Sequence, residues 1–135
     1  MRKVVFACVE NAGRSQMAAA FFNEIADPSQ ARALSAGTRP ADSVHPNVAA
    51  AMREVGIDIS AARPQRITDD FVRDAVLLVT MGCGDACPYV PGLEVDDWPL
   101  PDPKDQPLAG VRRIRDEVRA RVERLVRSRG WSRRR

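Results

Sequence analysis

The feature that most restricts this chain is a change of hydrophobic period close to its start. Lys3 to Cys8 is a short run of β-branched, aromatic and small residues, the composition of a strand covered on both faces. From Ser15 the period becomes helical: Met17, Ala18, Phe21, Phe22 and Ile25 recur at three- and four-residue spacing until Asp27-Pro28 stops them. The alternation then repeats. Ala31 to Ala36 reads as a second strand closed by Gly37, and Val48, Ala51, Met52 and Val55 mark a second helix capped by Gly56. Val76-Leu77-Leu78-Val79-Thr80 is the clearest buried strand, and Leu93-Glu94-Val95 a shorter fourth one. Val111, Ile114, Val118, Val122 and Leu125 form one apolar stripe on a last helix, with arginines filling the other face. Strands separated by helices imply parallel pairing through right-handed crossovers, so the expected fold class is α/β, a single three-layer domain.

Composition narrows the reading further. A chain of 135 residues fits one domain, and 44% hydrophobic with 29% charged residues argues against disorder. There is no apolar run of about 18 residues, so no transmembrane helix is expected. The apolar stretch behind Met1-Arg2-Lys3 ends within about five residues, too short for an export signal, which predicts a cytoplasmic protein. The net charge of +3 hides an asymmetry: residues 112–135 carry eleven Arg against Asp116, Glu117 and Glu123. A basic end of this kind could touch nucleic acid, but a solvated helix face with cations favouring its C-terminal dipole explains it more simply. Cys8, Cys83 and Cys87 form an odd set in a reducing compartment, which leaves reactive thiols or a metal site. Zinc wants four ligands, or three and water, and the single histidine, His45, sits apart beside Pro46. Reactive thiols are the better reading, with no metal expected.

The first strand runs directly into Cys8-Val9-Glu10-Asn11-Ala12-Gly13-Arg14-Ser15. In open α/β sheets, ligands sit beyond the carboxyl ends of the strands. A loop between Cys8 and Arg14 can curl until its N–H groups point inward, making an anion-binding nest at a helix N-terminus. Those dipoles and Arg14 would favour a thiolate at Cys8. Arg14 also offers a planar fork for two oxygens of a tetrahedral oxyanion, and Gly13 suits a cramped turn. A buried Cys ending a strand and a solvated Arg capping a turn would use the same residues; the strand before and the helix after favour the nest.

The run Cys8-x-x-Asn11-x-x-Arg14-Ser15-Gln16-Met17-Ala18 resembles the signature of the low-molecular-weight tyrosine phosphatase superfamily, and more narrowly that of its arsenate reductases. The resemblance continues through Ser35-Ala36-Gly37-Thr38, Glu54-x-Gly56-Ile57-Asp58, Thr80-Met81-Gly82-Cys83-Gly84-Asp85-x-Cys87-Pro88, and Asp97-Trp98 ahead of Asp102-Pro103. It implies a four-stranded parallel sheet flanked by helices, a phosphatase-like domain over residues 1–129 and a basic tail over 130–135.

By that resemblance Cys8 attacks arsenic, while Arg14 and the amides of Val9, Glu10, Asn11, Ala12, Gly13 and Arg14 stabilise the growing oxyanion charge. Ser15 would hydrogen-bond the Cys8 thiolate, Asn11 would brace the loop, and Asp102 would be the general acid. Asp-Pro also fits an ordinary turn. In thioredoxin-coupled members a second cysteine attacks the first and a third attacks the second, roles that fall here to Cys83 and Cys87. Their four-residue spacing lies near the limit of disulfide reach in a helix, and Gly82, Gly84 and Pro88 would let the segment rearrange. The implied substrate is arsenate. No bound cofactor is implied; the reductant would be external, thioredoxin or mycothiol with its glutaredoxin, with no membrane or nucleic-acid partner. Two alternatives share the first loop. An arsenate–mycothiol transferase would use Cys8 alone, and a tyrosine phosphatase would line its cleft with an aromatic, here Tyr89 or Trp98. Three positions depart from the family pattern: Gly13 replaces a further cysteine, Ala19 replaces a potassium-binding acid, and Glu10 puts a negative charge where arsenate would approach.

Overall fold

The computed structural model describes residues 1–83, 87 and 90–133. Its elements are β1 (Arg2–Cys8), α1 (Arg14–Ile25), β2 (Ala31–Gly37), α2 (Pro46–Glu54), α3 (Asp69–Val72), β3 (Leu77–Thr80), β4 (Glu94–Asp97) and α4 (Leu108–Arg129). The strands form one parallel sheet in the order β2-β1-β3-β4. This is the expected α/β fold, with the strands and major helices where the hydrophobic period placed them. The fourth strand starts one residue later than Leu93 and runs to Asp97. The short helix α3 had no counterpart in the sequence reading; Thr68 caps it by accepting the Phe71 amide.

Because side chains alternate along a strand, β1 serves two cores. Val4, Phe6 and Cys8 face the larger one, with Met17, Phe21 and Phe22 of α1 and Val111, Val118 and Val122 of α4. Val5 and Ala7 face a smaller one with Ala36, Ile67, Val72, Leu78 and Cys83. Helices thus cover both faces of β1, which explains its unbroken apolar run. β4 is the opposite case. All four of its residues are exposed and three are acidic, which blunts an edge strand against pairing with another chain.

Two helices end as their glycines require. Gly56 and Gly130 are left-handed (φ 83° and 73°), and paired amide bonds, Gly56 to Arg53 and Ile57 to Met52, Gly130 to Arg127 and Trp131 to Val126, close the last turns. Beyond Gly130 the described residues fold back onto the body of the domain. Trp131 is buried and packs edge-on against Phe22, its carbonyl accepts the Asp27 amide, and Ser132 bridges Ala26. Arg133 donates to the carbonyls of Glu24 and Asn23 at the end of α1, where a cation complements the dipole. The polar face of α4 needs correction. Arg115 is buried, bonding Ala51 O and Glu54 of α2 as well as Asp116.

Candidate active site

β1 ends at Cys8 and α1 begins at Arg14, so Val9–Gly13 must turn the chain from strand to helix. The segment after β2 shapes that turn. The amides of Thr38, Arg39, Ala41 and His45 donate to the carbonyls of Cys8, Val9, Glu10 and Ala12 at 2.8–3.2 Å. With its carbonyls tied outward, the loop aims its amides inward. Those of Val9, Glu10, Ala12, Gly13 and Arg14 donate to no other protein group among the described residues, although Ala12 and Arg14 are buried. A cluster of unpartnered amides at a helix N-terminus is a receptor for an anion. Gly37 makes the close approach possible: a Cβ there would lie 2.5 Å from Val9 O and 2.9 Å from Asn11 N.

Cys8 lies inside this loop and is 3% exposed. The Asn11 amide donates to its sulfur at 3.3 Å, and Ser15 Oγ sits 2.9 Å away. Asn11 is left-handed (φ 52°) and fully buried. Its Nδ2 donates to Ser15 Oγ at 2.8 Å, while its Oδ1 accepts the Gln65 amide at 2.9 Å. Each end of the Asn11 side chain is therefore held. Gln16 joins the network by donating to Asn11 O and Oδ1. It stands in the family-like run, yet its spacing alone gives no hint that it folds back onto the loop.

Arg14 is buried, and its Nη1 donates to Leu100 O at 3.0 Å. Its Nη2 lies 3.8 Å from Asp102 Oδ2, and the Asp102 side chain is about half exposed. Asp102 is thus brought to the loop, on the solvent side of the arginine. Its segment is seated by Asn47, which donates to Pro103 O and Gln106 O. Pro103 presses on the loop so closely that a Cβ on Gly13 would come within 2.8 Å of its ring. On the other side, Gly82 (φ 104°) abuts the guanidinium; a Cβ there would lie 2.5 Å from Nη1.

Glu10 does not stand as a free negative charge at the rim. Lys104 Nζ bonds its carboxylate at 3.1 Å, and Glu10 in turn holds the Lys104 ammonium above the ordinary lysine range. The pair neutralises the charge that would oppose an oxyanion. Trp98 is likewise no wall of the Cys8 loop: it is 4% exposed, lies tilted against Phe6 with ring centroids 5.5 Å apart, and donates its indole N–H to Asp96. Tyr89 lies outside the described residues, as do Gly84, Asp85 and Pro88.

Cys83 and Cys87 are joined by a disulfide with their Cα atoms 5.6 Å apart, and Cys8 is free. Cys83 follows β3 by three residues, so it emerges at the same carboxyl edge of the sheet as Cys8. Its side chain belongs to the smaller core, with Sγ 4.0 Å from Ala7 O, whereas Cys8 faces the larger core. Among the described residues no group of three His, Cys, Asp or Glu side chains is arranged to hold a metal ion. No helix among them is long and apolar enough to cross a membrane.

A loop of unpartnered amides around a cysteine thus lies against an arginine and an Asp-Pro segment. The low molecular weight phosphotyrosine protein phosphatase family matches residues 3–130, and the chain belongs to that family. Within it, the chain is similar to arsenate reductases. It is 37% identical over 136 residues to the glutaredoxin arsenate reductase of Synechocystis sp., covering 93% of this chain and 97% of that one. The thioredoxin-dependent arsenate reductase of Corynebacterium glutamicum superposes with a TM-score of 0.82 at 40% identity, over 95% of this chain but only 61% of that one. An arsenate reductase solved in its oxidised state gives 0.83 at 36% identity, over 95% and 98%.

Proposed function

We propose that this chain is an arsenate reductase that passes electrons from its own thiols to arsenic. Cys8 is the nucleophile. Its sulfur displaces one oxygen of arsenate, forming a sulfur–arsenic(V) bond, and Asp102 supplies the proton with which that oxygen leaves as water. The amides of residues 9–14 and Arg14 hold the remaining oxygens, in the position where charge builds up during attack. Ser15 and Asn11 steady the sulfur. The Cys83 thiolate then attacks Cys8 Sγ: a sulfur–sulfur bond forms, the sulfur–arsenic bond breaks, and its electron pair leaves on arsenic as arsenite. Cys87 attacks Cys83 and releases Cys8, leaving Cys83–Cys87 oxidised by two electrons.

The observation that carries this reading is the Cys83–Cys87 disulfide beside a free Cys8 in an oxyanion nest, the arrangement in which such a cascade ends. A phosphatase has no use for the second pair, because water completes its reaction. Resetting the enzyme needs an external dithiol or thiol protein, of thioredoxin or glutaredoxin type.

The test is a single-turnover thiol count. Fully reduced protein mixed with equimolar arsenate, without external thiol, is expected to lose two thiols, release arsenite and yield a Cys83–Cys87 bridge on peptide mapping. Arsenite formation only after a low-molecular-weight thiol such as mycothiol is added, with all three protein thiols retained, would overturn the cascade and make Cys8 the sole working cysteine. Adding thioredoxin or glutaredoxin in turn then identifies which one restores turnover.

A further inference from the structure

We infer that Gln16 is a positioning residue that, together with the Gln65 amide, seats Asn11 so that the Ser15 hydroxyl donates to the Cys8 sulfur. The inference rests on Cys8 being the nucleophile.

The chain of donors can be followed from its fixed end. The Gln65 backbone N–H can only donate, so the Asn11 atom it meets at 2.9 Å is the oxygen Oδ1. Gln16 Nε2 approaches the same oxygen at 3.3 Å and the Asn11 carbonyl at 3.0 Å. Both are acceptors, so the Gln16 amide presents its nitrogen. With Oδ1 doubly engaged, Asn11 turns Nδ2 towards Ser15 and donates to its Oγ at 2.8 Å. Ser15 then has one proton of its own to place. Cys8 Sγ, 2.9 Å from Ser15 Oγ, is the acceptor it meets.

Gln16 therefore works beside the Gln65 amide: its one nitrogen holds both Asn11 oxygens, which keeps Nδ2 turned towards Ser15. The sulfur receives two donors, the Ser15 hydroxyl and the Asn11 amide at 3.3 Å, and such donors stabilise a thiolate. Gln16 is 6% exposed and Ser15 fully buried, so water is a poor substitute for either partner.

The experiment follows the rate of Cys8 alkylation by iodoacetamide in a Cys83→Ser/Cys87→Ser background, where Cys8 is the only thiol. Gln16→Met keeps the length and loses the donor. It is expected to slow alkylation at pH 7 about tenfold, the size of one lost bond to a charged atom, with the rates converging at high pH. Ser15→Ala should give a similar loss, and the double variant no more than either alone, because both act through one bond. The affinity for inorganic phosphate should stay within about twofold in Gln16→Met, since the amide nest is not made by Gln16; this bound is set well below the tenfold of a lost hydrogen bond. Wild-type alkylation in Gln16→Met, losses that add with Ser15→Ala, or phosphate affinity falling in step with alkylation would each overturn the proposal. Alkylation needs no arsenate, so failure of the reductase reading would show separately, as absence of an arsenic adduct on the same background.

Discussion

Cys8 and Cys83 leave the sheet from adjacent parallel strands, but the two segments are held by different forces. Around Cys8, four contacts from residues 38–45 tie down the carbonyls of Cys8, Val9, Glu10 and Ala12, and the Asn11 side chain is fastened at both ends. Among the described residues past β3, the Met81 amide donates to Ala7 O, Cys83 packs in the smaller core with its Sγ 4.0 Å from Ala7 O, and the disulfide joins it to Cys87. In the proposed reaction the first site is assembled before any substrate arrives, so an oxyanion would find amides already oriented and need little reorganisation. The second is secured by a bond that the proposed chemistry makes and breaks. Cys83 must also leave its place on the far face of β1 to reach the Cys8 sulfur. Rigidity is spent where charge must be stabilised, and the reaction itself governs the geometry where thiols must exchange.

Removing one sulfur at a time separates the two halves most sharply. Cys8→Ser should abolish both adduct formation and turnover. Cys83→Ser should still form the arsenic adduct, detectable by mass spectrometry, yet fall to background turnover with any thiol protein. Normal steady-state rates in Cys83→Ser would dissolve the division of labour altogether.

The next largest effect should come from Gly37→Ala. The added Cβ meets backbone atoms, Val9 O and Asn11 N, that cannot rotate aside. A stability loss of about 1–3 kcal/mol is expected from overpacking, and phosphate affinity should drop on the order of a hundredfold, the penalty for displacing an oriented site by about 1 Å. Calorimetric titration with phosphate reads the second quantity. Oxidation of Cys83 and Cys87 to their disulfide should proceed as in the parent protein. If it is impaired equally, the two segments are not held independently.

These distinctions were only partly legible in the sequence. β1, the loop and α1 could be read because a buried strand, a turn and a helical period follow one another without ambiguity. Parallel pairing followed from helices lying between strands, whereas the order β2-β1-β3-β4 came only from the structure. Arg115 was assigned to the polar face because of its charge, although it falls on the apolar stripe between Val111 and Val118. Its position, rather than its residue type, would have placed it correctly. Trp131 was lost among arginines, yet a lone Trp directly after a helix-ending Gly is a recurrent docking signal. Gln16 could not be read at all. Its role depends on a side chain folding back over a left-handed Asn11, and periodicity carries no record of that.

Gly82→Ala probes the contact between the segment after β3 and Arg14. Alanine at φ 104° costs about 1–2 kcal/mol, and its Cβ would crowd the end of the Arg14 side chain. That end is flexible and can swing away, so the outcome is milder than for Gly37. The KM for arsenate should rise about tenfold with a smaller change in kcat, because oxyanion grip is weakened while Cys8 is untouched. Unchanged KM would show that Arg14 does not lean on the redox segment.

The smallest effect concerns how the preorganised half is buttressed. α2 carries Asn47, which seats the Asp102 segment, and its far end is clamped to α4 by Glu54. The bonds from Arg112, and next from Arg115, hold the Glu54 carboxyl down to about 2 from an ordinary 4.5. A depressed folded-state value means the carboxylate contributes stability fully above about 4.5 and loses it as the pH falls towards about 2. Glu54→Gln keeps the shape without the charge. It should lower Tm by only about 1–3 °C at neutral pH, as expected for a largely exposed cluster, and leave arsenate turnover unchanged. The gap between the two melting curves should close as the pH is lowered from 5 to 2. A gap that stays constant through that window would mean the clamp works through packing, and that the charge on Glu54 contributes nothing to holding Asp102 over the loop.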